Sequence, residues 1–165
     1  MKKSDMERER KFLVGKKPVD LSKFAHDTID QGYIARSPEK TEIRIRKKGR
    51  AHTLTIKKGE GVERFEKEIP ISLEDYKALW PLTKGKRLKK IRYNIPYEKH
   101  RIELDVYQGK LRGLKTAEVE FKNGADLKKF TPPDWFDFEI TGDGRYSNWT
   151  LAVAGLPQKP ASRRK

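Results

Sequence analysis

The sequence predicts a mainly β chain of the α+β class, in which about eight antiparallel strands close into a barrel around a charged tunnel, with short helices on its flanks. The first observation behind this is the spacing of charge. Like charges stand two residues apart in Glu7-Arg8-Glu9-Arg10-Lys11, Arg44-Ile45-Arg46, Glu66-Lys67-Glu68, Glu103-Leu104-Asp105 and Glu118-Val119-Glu120. Residues i and i+2 of a strand share a face, so each pair lines up. The reverse faces are apolar: Ile43 and Ile45, Leu104 and Val106, then Ala117, Val119 and Phe121. The second observation is that tight-turn sequences separate short alternating runs, which gives hairpin order. One alternation alone describes any solvated sheet exterior. Repeated alternation, each time with an apolar back, describes a shared charged face, and a closed barrel turns that face inward.

The elements follow in order. A first strand covers Met6 to Val14 and ends at a Gly15 to Pro18 turn. Asp20 caps a single helical turn through Phe24. Strands are then expected over Thr28–Ile34, Glu42–Lys47, His52–Lys58 and Arg64–Ile69, separated by turns at Arg36-Ser37-Pro38-Glu39, Lys48-Gly49-Arg50 and Gly59-Glu60-Gly61. Ser72 caps a helix to about Trp80, and Pro81 stops it. Strands resume over Lys89–Pro96, Arg101–Tyr107 and Lys115–Phe121. A short helix from Gly124 to Phe130 stops before Pro132-Pro133. A last helix starts near Ser147 or Asn148 and ends before Gly155-Leu156-Pro157. No repeat or linker divides the chain, so residues 1–156 read as a single barrel domain and residues 157–165 as a basic disordered tail.

Composition narrows the chemistry. A chain of 165 residues is long enough for a real core, and 35% hydrophobic against 38% charged residues makes its surface heavily ionic. With no cysteine there is no disulfide or thiolate metal site. His26, His52 and His100 lack ligand spacing and read as surface groups. A bound metal would therefore be hard and held by oxygen, as Mg²⁺ or Mn²⁺ is. The absence of a long apolar run and of a secretory leader points to a cytoplasmic protein with no membrane partner. The net charge of +15 calls for an anionic partner. The cluster Lys84-Gly85-Lys86-Arg87-Leu88-Lys89-Lys90 is the best nucleic-acid patch. Nucleic acid is nonetheless disfavoured, because the binding face carries carboxylates where stacking aromatics belong. A homodimer is open, with nothing in the sequence to select it.

Met6-Glu7-Arg8-Glu9-Arg10-Lys11-Phe12-Leu13-Val14 resembles the N-terminal E-x-E-x-K signature of the CYTH superfamily, the triphosphate tunnel metalloenzymes. The resemblance continues in order through Gln31-Gly32-Tyr33-Ile34, Glu42 to Arg46, Leu54 to Lys57, Glu66 to Glu68, Lys90 to Tyr93, Glu103 to Tyr107 and Ala117 to Glu120. Thr141-Gly142-Asp143-Gly144-Arg145-Tyr146-Ser147-Asn148 looks like the closing segment of short bacterial members. The resemblance implies an eight-stranded tunnel barrel that binds a triphosphate and acts on it with a divalent metal. Inorganic triphosphate is the substrate it favours. Adenylyl cyclase and thiamine triphosphatase activities occur on the same fold, and a non-catalytic polyphosphate or nucleic-acid binder is the alternative of another class.

Within that frame, Arg44 and Arg46 would grip phosphate oxygens through their forks, helped by Lys11, Lys57, Lys90 and Arg92. Glu7, Glu9, Glu118 and Glu120 are the expected metal ligands. Glu66, Glu68, Glu103 and Asp105 are further tunnel acids that support the ligands or balance charge. The resemblance also implies a Tyr–Lys pair that activates water, at Tyr33 and Lys57.

Overall fold

The period-two alternation is realised as strands whose charged faces all turn to one side. The computed structural model of the chain describes residues 6–15, 20–59 and 62–158. Its strands are β1 (Met6–Val14), β2 (His26–Arg36), β3 (Thr41–Lys48), β4 (Ala51–Lys58), β5 (Glu63–Pro70), β6 (Arg87–Tyr97), β7 (His100–Tyr107), β8 (Lys115–Glu120) and β9 (Phe136–Glu139). The sheet order is β5-β4-β3-β2-β6-β7-β8-β1-β9, every pair antiparallel. A further β5–β1 pairing closes β1 to β8 into a barrel. The seam is made by β1, which sets Glu7 opposite Arg64 on β5 and Lys11 opposite Glu118 on β8. Closure leaves no barrel edge unpaired.

Three short helices accompany the barrel: α1 (Leu73–Leu79), α2 (Gly124–Lys129) and α3 (Asn148–Ala154). Their caps are those the sequence names for α1 and α3. Ser72 Oγ accepts from Asp75 N at 2.9 Å and Ser147 Oγ from Thr150 N at 3.1 Å. Asp20 likewise caps a single turn. The α-helix ends just before Pro81, as expected. It stops at Leu79, but a 3₁₀ turn continues over Trp80–Thr83 with Pro81 inside its start, where the missing N–H is no loss. That turn seats Thr83 against β2 so closely that a Cβ on Gly32 would lie 2.6 Å from it. The short strand β9 went unread in the sequence, hidden behind Pro132-Pro133. It pairs with β1 through Phe12–Glu139 and Val14–Phe136. The Gly15 to Pro18 turn from Lys16 on, residues 60–61 of the Gly59 turn and the basic tail from residue 159 lie outside the described residues. Among the described residues no helix is long and apolar enough to cross a membrane.

Two apolar clusters hold this arrangement. Phe12, Ile95, Ile102, Leu104, Ala117, Val119, Phe121 and Phe130 pack outside the barrel wall, beneath α2 and β9. The second cluster departs from the expectation that helices only flank the barrel. Tyr33, Leu88 and Tyr107 lie on the same strand faces as the charged residues, yet they pack against Leu151 and Ala152 of α3 and against Ile140 and Tyr146. The tunnel thus has an apolar floor, and α3 is part of it.

Candidate active site in the barrel tunnel

The inward faces enclose a cavity of about 940 Å³ lined by charged residues from every barrel strand. Register fixes which side chains meet. Glu9 stands opposite Glu120, Lys11 opposite Glu118, Glu103 opposite Glu118, Lys57 opposite Glu66 and Arg92 opposite Asp105. All the residues singled out from the sequence as ligands, bases or tunnel acids line this cavity, apart from Asp105. Asp105 is fully buried in the wall behind it.

One wall, on β3, β4 and β5, is basic and only partly satisfied. Arg44 Nη2 donates to Glu66 Oε1 at 3.2 Å and Arg46 Nη2 to Glu68 Oε2 at 2.6 Å. Lys57 pairs with Glu7 at 3.1 Å and also with Glu66. Arg64 bridges Glu7 at 3.1 Å and Glu9 at 2.5 Å. The Nε atoms of Arg44, Arg46 and Arg64 are nevertheless buried without a protein acceptor. A buried donor without a partner costs roughly 1–3 kcal/mol, so this wall gains by receiving an anion's oxygens. Burial, followed by the neighbouring Arg44, lowers the Arg46 guanidinium from its ordinary value.

On the facing wall, made by β6, β7, β8 and β1, the cations are matched by carboxylates. Arg92 gives two bonds to Asp105, at 2.7 and 2.6 Å, one to Glu118 at 2.8 Å and one to Glu103. Lys90 is bound to the same Asp105, and Lys11 pairs with Glu118 at 2.9 Å. Burial works against the charges of Asp105 and Glu118, but Arg92 with Lys90 holds the first below the usual carboxylate range, and Lys11 with Arg92 holds the second well below it. Lys90 moves the other way. Burial, reinforced by the adjacent Arg92 cation, outweighs its share of Asp105 and pulls its ammonium down to about 8. The pair is therefore unequal. Arg92 keeps Asp105 ionised, while Lys90 can lose its proton near neutrality.

Among the described residues no three carboxylate or histidine groups converge on one point. The acids nonetheless suit a hard cation. Glu120 is raised by burial and then by the carboxylates of Glu7, Glu103, Glu9 and Glu66, a repulsion that a divalent ion would relieve. Glu9 and Glu120 face each other directly in register.

Tyr33 and Lys57 both line the cavity from strands on either side of β3, and Lys57 is engaged by Glu7 and Glu66. Tyr33 accepts a hydrogen bond from Gln31 Nε2 at 2.9 Å and packs edge-on against Trp149. Burial raises its phenol above the ordinary value. The Lys84–Lys90 cluster does not form one patch. Lys86 Nζ donates to the Ile34 carbonyl, Arg87 stacks on Trp80 with its carbon 4.4 Å from the ring centre, and Lys90 points inward. Sequence reasoning missed Arg64, Gln31, Thr141 and Asn148, all of which line the cavity. Arg64 was within reach, since Arg64, Glu66 and Glu68 continue one period-two row.

Fold and site together define a closed antiparallel barrel whose ion-lined tunnel takes a polyanion. The chain belongs to the CYTH domain family, which it matches over residues 5–131. It is 38% identical over 148 residues to an inorganic triphosphatase of Nitrosomonas europaea, covering 88% of this chain and 96% of that one. It is 34% identical over 147 residues to an inorganic triphosphatase of Acetivibrio thermocellus, covering 87% and 90%. The crystal structure of an inorganic triphosphatase superposes with a TM-score of 0.67 at 36% identity, over 89% of this chain and 94% of that one.

Proposed function

We infer that this chain hydrolyses inorganic triphosphate to diphosphate and phosphate inside the tunnel, using Mg²⁺ or Mn²⁺. The observation that carries the reading is the β3–β5 wall, where buried guanidinium donors face the cavity with no protein acceptor. An anion with several oxygens and no bulky organic part satisfies them at once. Arg44, Arg46, Lys57 and Arg64 hold the phosphate chain on this wall, and Lys11 and Arg92 face it from the other. Bound to Glu7, Glu9, Glu118 and Glu120, a divalent ion would supply Lewis-acid neutralisation of phosphate charge.

The attacking water needs a proton acceptor. Lys90 suits this, because burial pulls its ammonium down to about 8 and Asp105 fixes it from behind. Water attacks the terminal phosphorus, its proton passes to Lys90 Nζ, and the departing diphosphate oxygen takes up its charge against the arginines. Tyr33, retained as a phenol, closes the floor.

The direct test is phosphate release from inorganic triphosphate, ATP and thiamine triphosphate, each with Mg²⁺, Mn²⁺ or EDTA. Fast, metal-dependent release from inorganic triphosphate is expected, with little from the other two. Release from none of them by folded protein would overturn the assignment.

A further inference from the structure

The tunnel does not account for the net charge of +15, because each cation of its two walls has a carboxylate partner. The excess lies outside, and part of it stands at the entrance. Opposite the apolar floor, the tunnel ends in a mouth ringed by the β3–β4 turn, the β6–β7 turn and the end of β8. Lys48, Lys99, Arg101 and Lys122 line the cavity there, and none of them belongs to the groups that hold phosphate or metal in the reading above. Arg101 lies two residues before Glu103 on β7, and Lys122 two residues past Glu120 at the end of β8. On each of these strands the outermost inward group is therefore a cation, with a carboxylate next below it. Glu68 lines the same end from β5. A polyanion entering the tunnel must pass these acids, and their repulsion is met only by the cations outside them.

Those cations are loosely held. Arg101 Nη2 reaches Glu103 at 3.5 Å and Lys48 Nζ reaches Asp27 at 3.7 Å. Lys99 is exposed and pairs with Asp126 of α2. Lys122 is exposed and has no carboxylate partner among the described residues. Exposed pairs of this kind are weak, so the side chains can turn to an incoming anion at little cost. We propose that Lys48, Lys99, Arg101 and Lys122 form an outer collar that captures the inorganic triphosphate anion at this mouth and brings it past the carboxylates, setting the rate of capture and not of turnover. The inference rests on the reading of the tunnel as a triphosphate site. Attraction by a collar of like charges raises productive encounter by about tenfold or more and fades as ionic strength rises, a signature that a structural role lacks.

The experiment measures kcat and KM for inorganic triphosphate with Mg²⁺, on the full chain, from about 20 mM to about 0.5 M KCl, a range over which the screening length shrinks severalfold. Wild type is compared with Lys99→Gln/Arg101→Gln/Lys122→Gln and with Lys23→Gln/Lys67→Gln/Lys77→Gln, which removes the same charge from exposed positions away from the mouth. At low salt the collar variant should lose about tenfold in kcat/KM with kcat within about twofold of wild type, and at high salt the gap should close to about twofold. The control variant should stay within about twofold throughout. Lys122→Gln alone removes no hydrogen bond or ion pair among the described residues, so it folds as wild type and should show part of the same salt-dependent loss. An equal loss in the control, a loss confined to kcat, a loss that salt does not relieve, or no loss would each overturn the proposal. Wild-type protein that releases no phosphate would instead remove the hydrolase reading, and calorimetric binding of inorganic triphosphate by the same variants would then decide the collar by itself.

Discussion

The two walls of the tunnel use the same residue types to opposite ends. On β3–β5, each arginine meets its carboxylates through terminal nitrogens and leaves Nε buried and unmet. On β6–β8, Arg92 meets three carboxylates, and Asp105 is shared by two cations. The first wall is unfinished without an anion. In the second, Arg92, Lys90 and Lys11 are matched by carboxylates without one. On the proposed reading, anion binding draws mainly on the first wall and proton transfer on the second, so changes to each should register in different measurements.

Removing the proposed proton acceptor should have the largest effect. Lys90→Met is expected to lower kcat by about 10³-fold with the fold retained, as circular dichroism would report. Retention of most turnover would return the role to Lys57. Next comes the second wall itself. Arg92→Met leaves Asp105 with Lys90 alone, Glu118 with Lys11 alone and Glu103 with only the more distant Arg101, and chemical denaturation should show a stability loss of about 3 kcal/mol, because buried carboxylates lose part of their counter-charge. If stability holds, the wall is not locked in the way its bonds imply.

The pH dependence is smaller and sharpens the contrast. Lys90 accepts a proton only when neutral, and burial sets its ammonium at about 8. The kcat/KM should therefore rise with pH through about 8 and level off above, by about tenfold between pH 7 and pH 9. The folded-state value is depressed below that of the unfolded chain, so over the same range and up to about pH 10.4 stability should rise with pH, since the unfolded chain binds the extra proton there. A flat rate profile would count against Lys90. The smallest effect belongs to the receptive wall. Arg46→Gln should raise KM by about fivefold while kcat and stability stay near wild type, because its pair with the exposed Glu68 adds little. A fall in kcat instead would show that this wall takes part in chemistry.

Much of this was legible in the sequence, for a physical reason. Period-two alternation states directly which side chains share a face, so Glu7, Glu9, Lys11, Arg44, Arg46, Glu118 and Glu120 could be placed together before any partner strand was known. Alternation does not say how deep a side chain lies. Lys57 and Lys90 look alike in sequence, and only the packing of β6 against β7 and the floor makes Lys90 fully buried. The floor itself was illegible for the same reason. Tyr33, Leu88 and Tyr107 occupy inward positions, but that α3 covers them depends on barrel closure, which seven residues of helix do not encode. β9 escaped because four residues behind two prolines carry too short a pattern.

The seam at β1 also governs how the molecule assembles. β1 is complete only when β5, β8 and β9 are present, and its partners run as far along the chain as Glu139. During synthesis it precedes all three of its partners, and two of them, β8 and β9, come last of the strands, whereas each of the hairpins β2–β3, β3–β4, β4–β5, β6–β7 and β7–β8 can form as it emerges. Pulse-labelled amide exchange during refolding should find β1 protected after those hairpins. The strand that carries the first carboxylates of the site is thus the first made and the last placed, so the tunnel cannot bind before the barrel has closed.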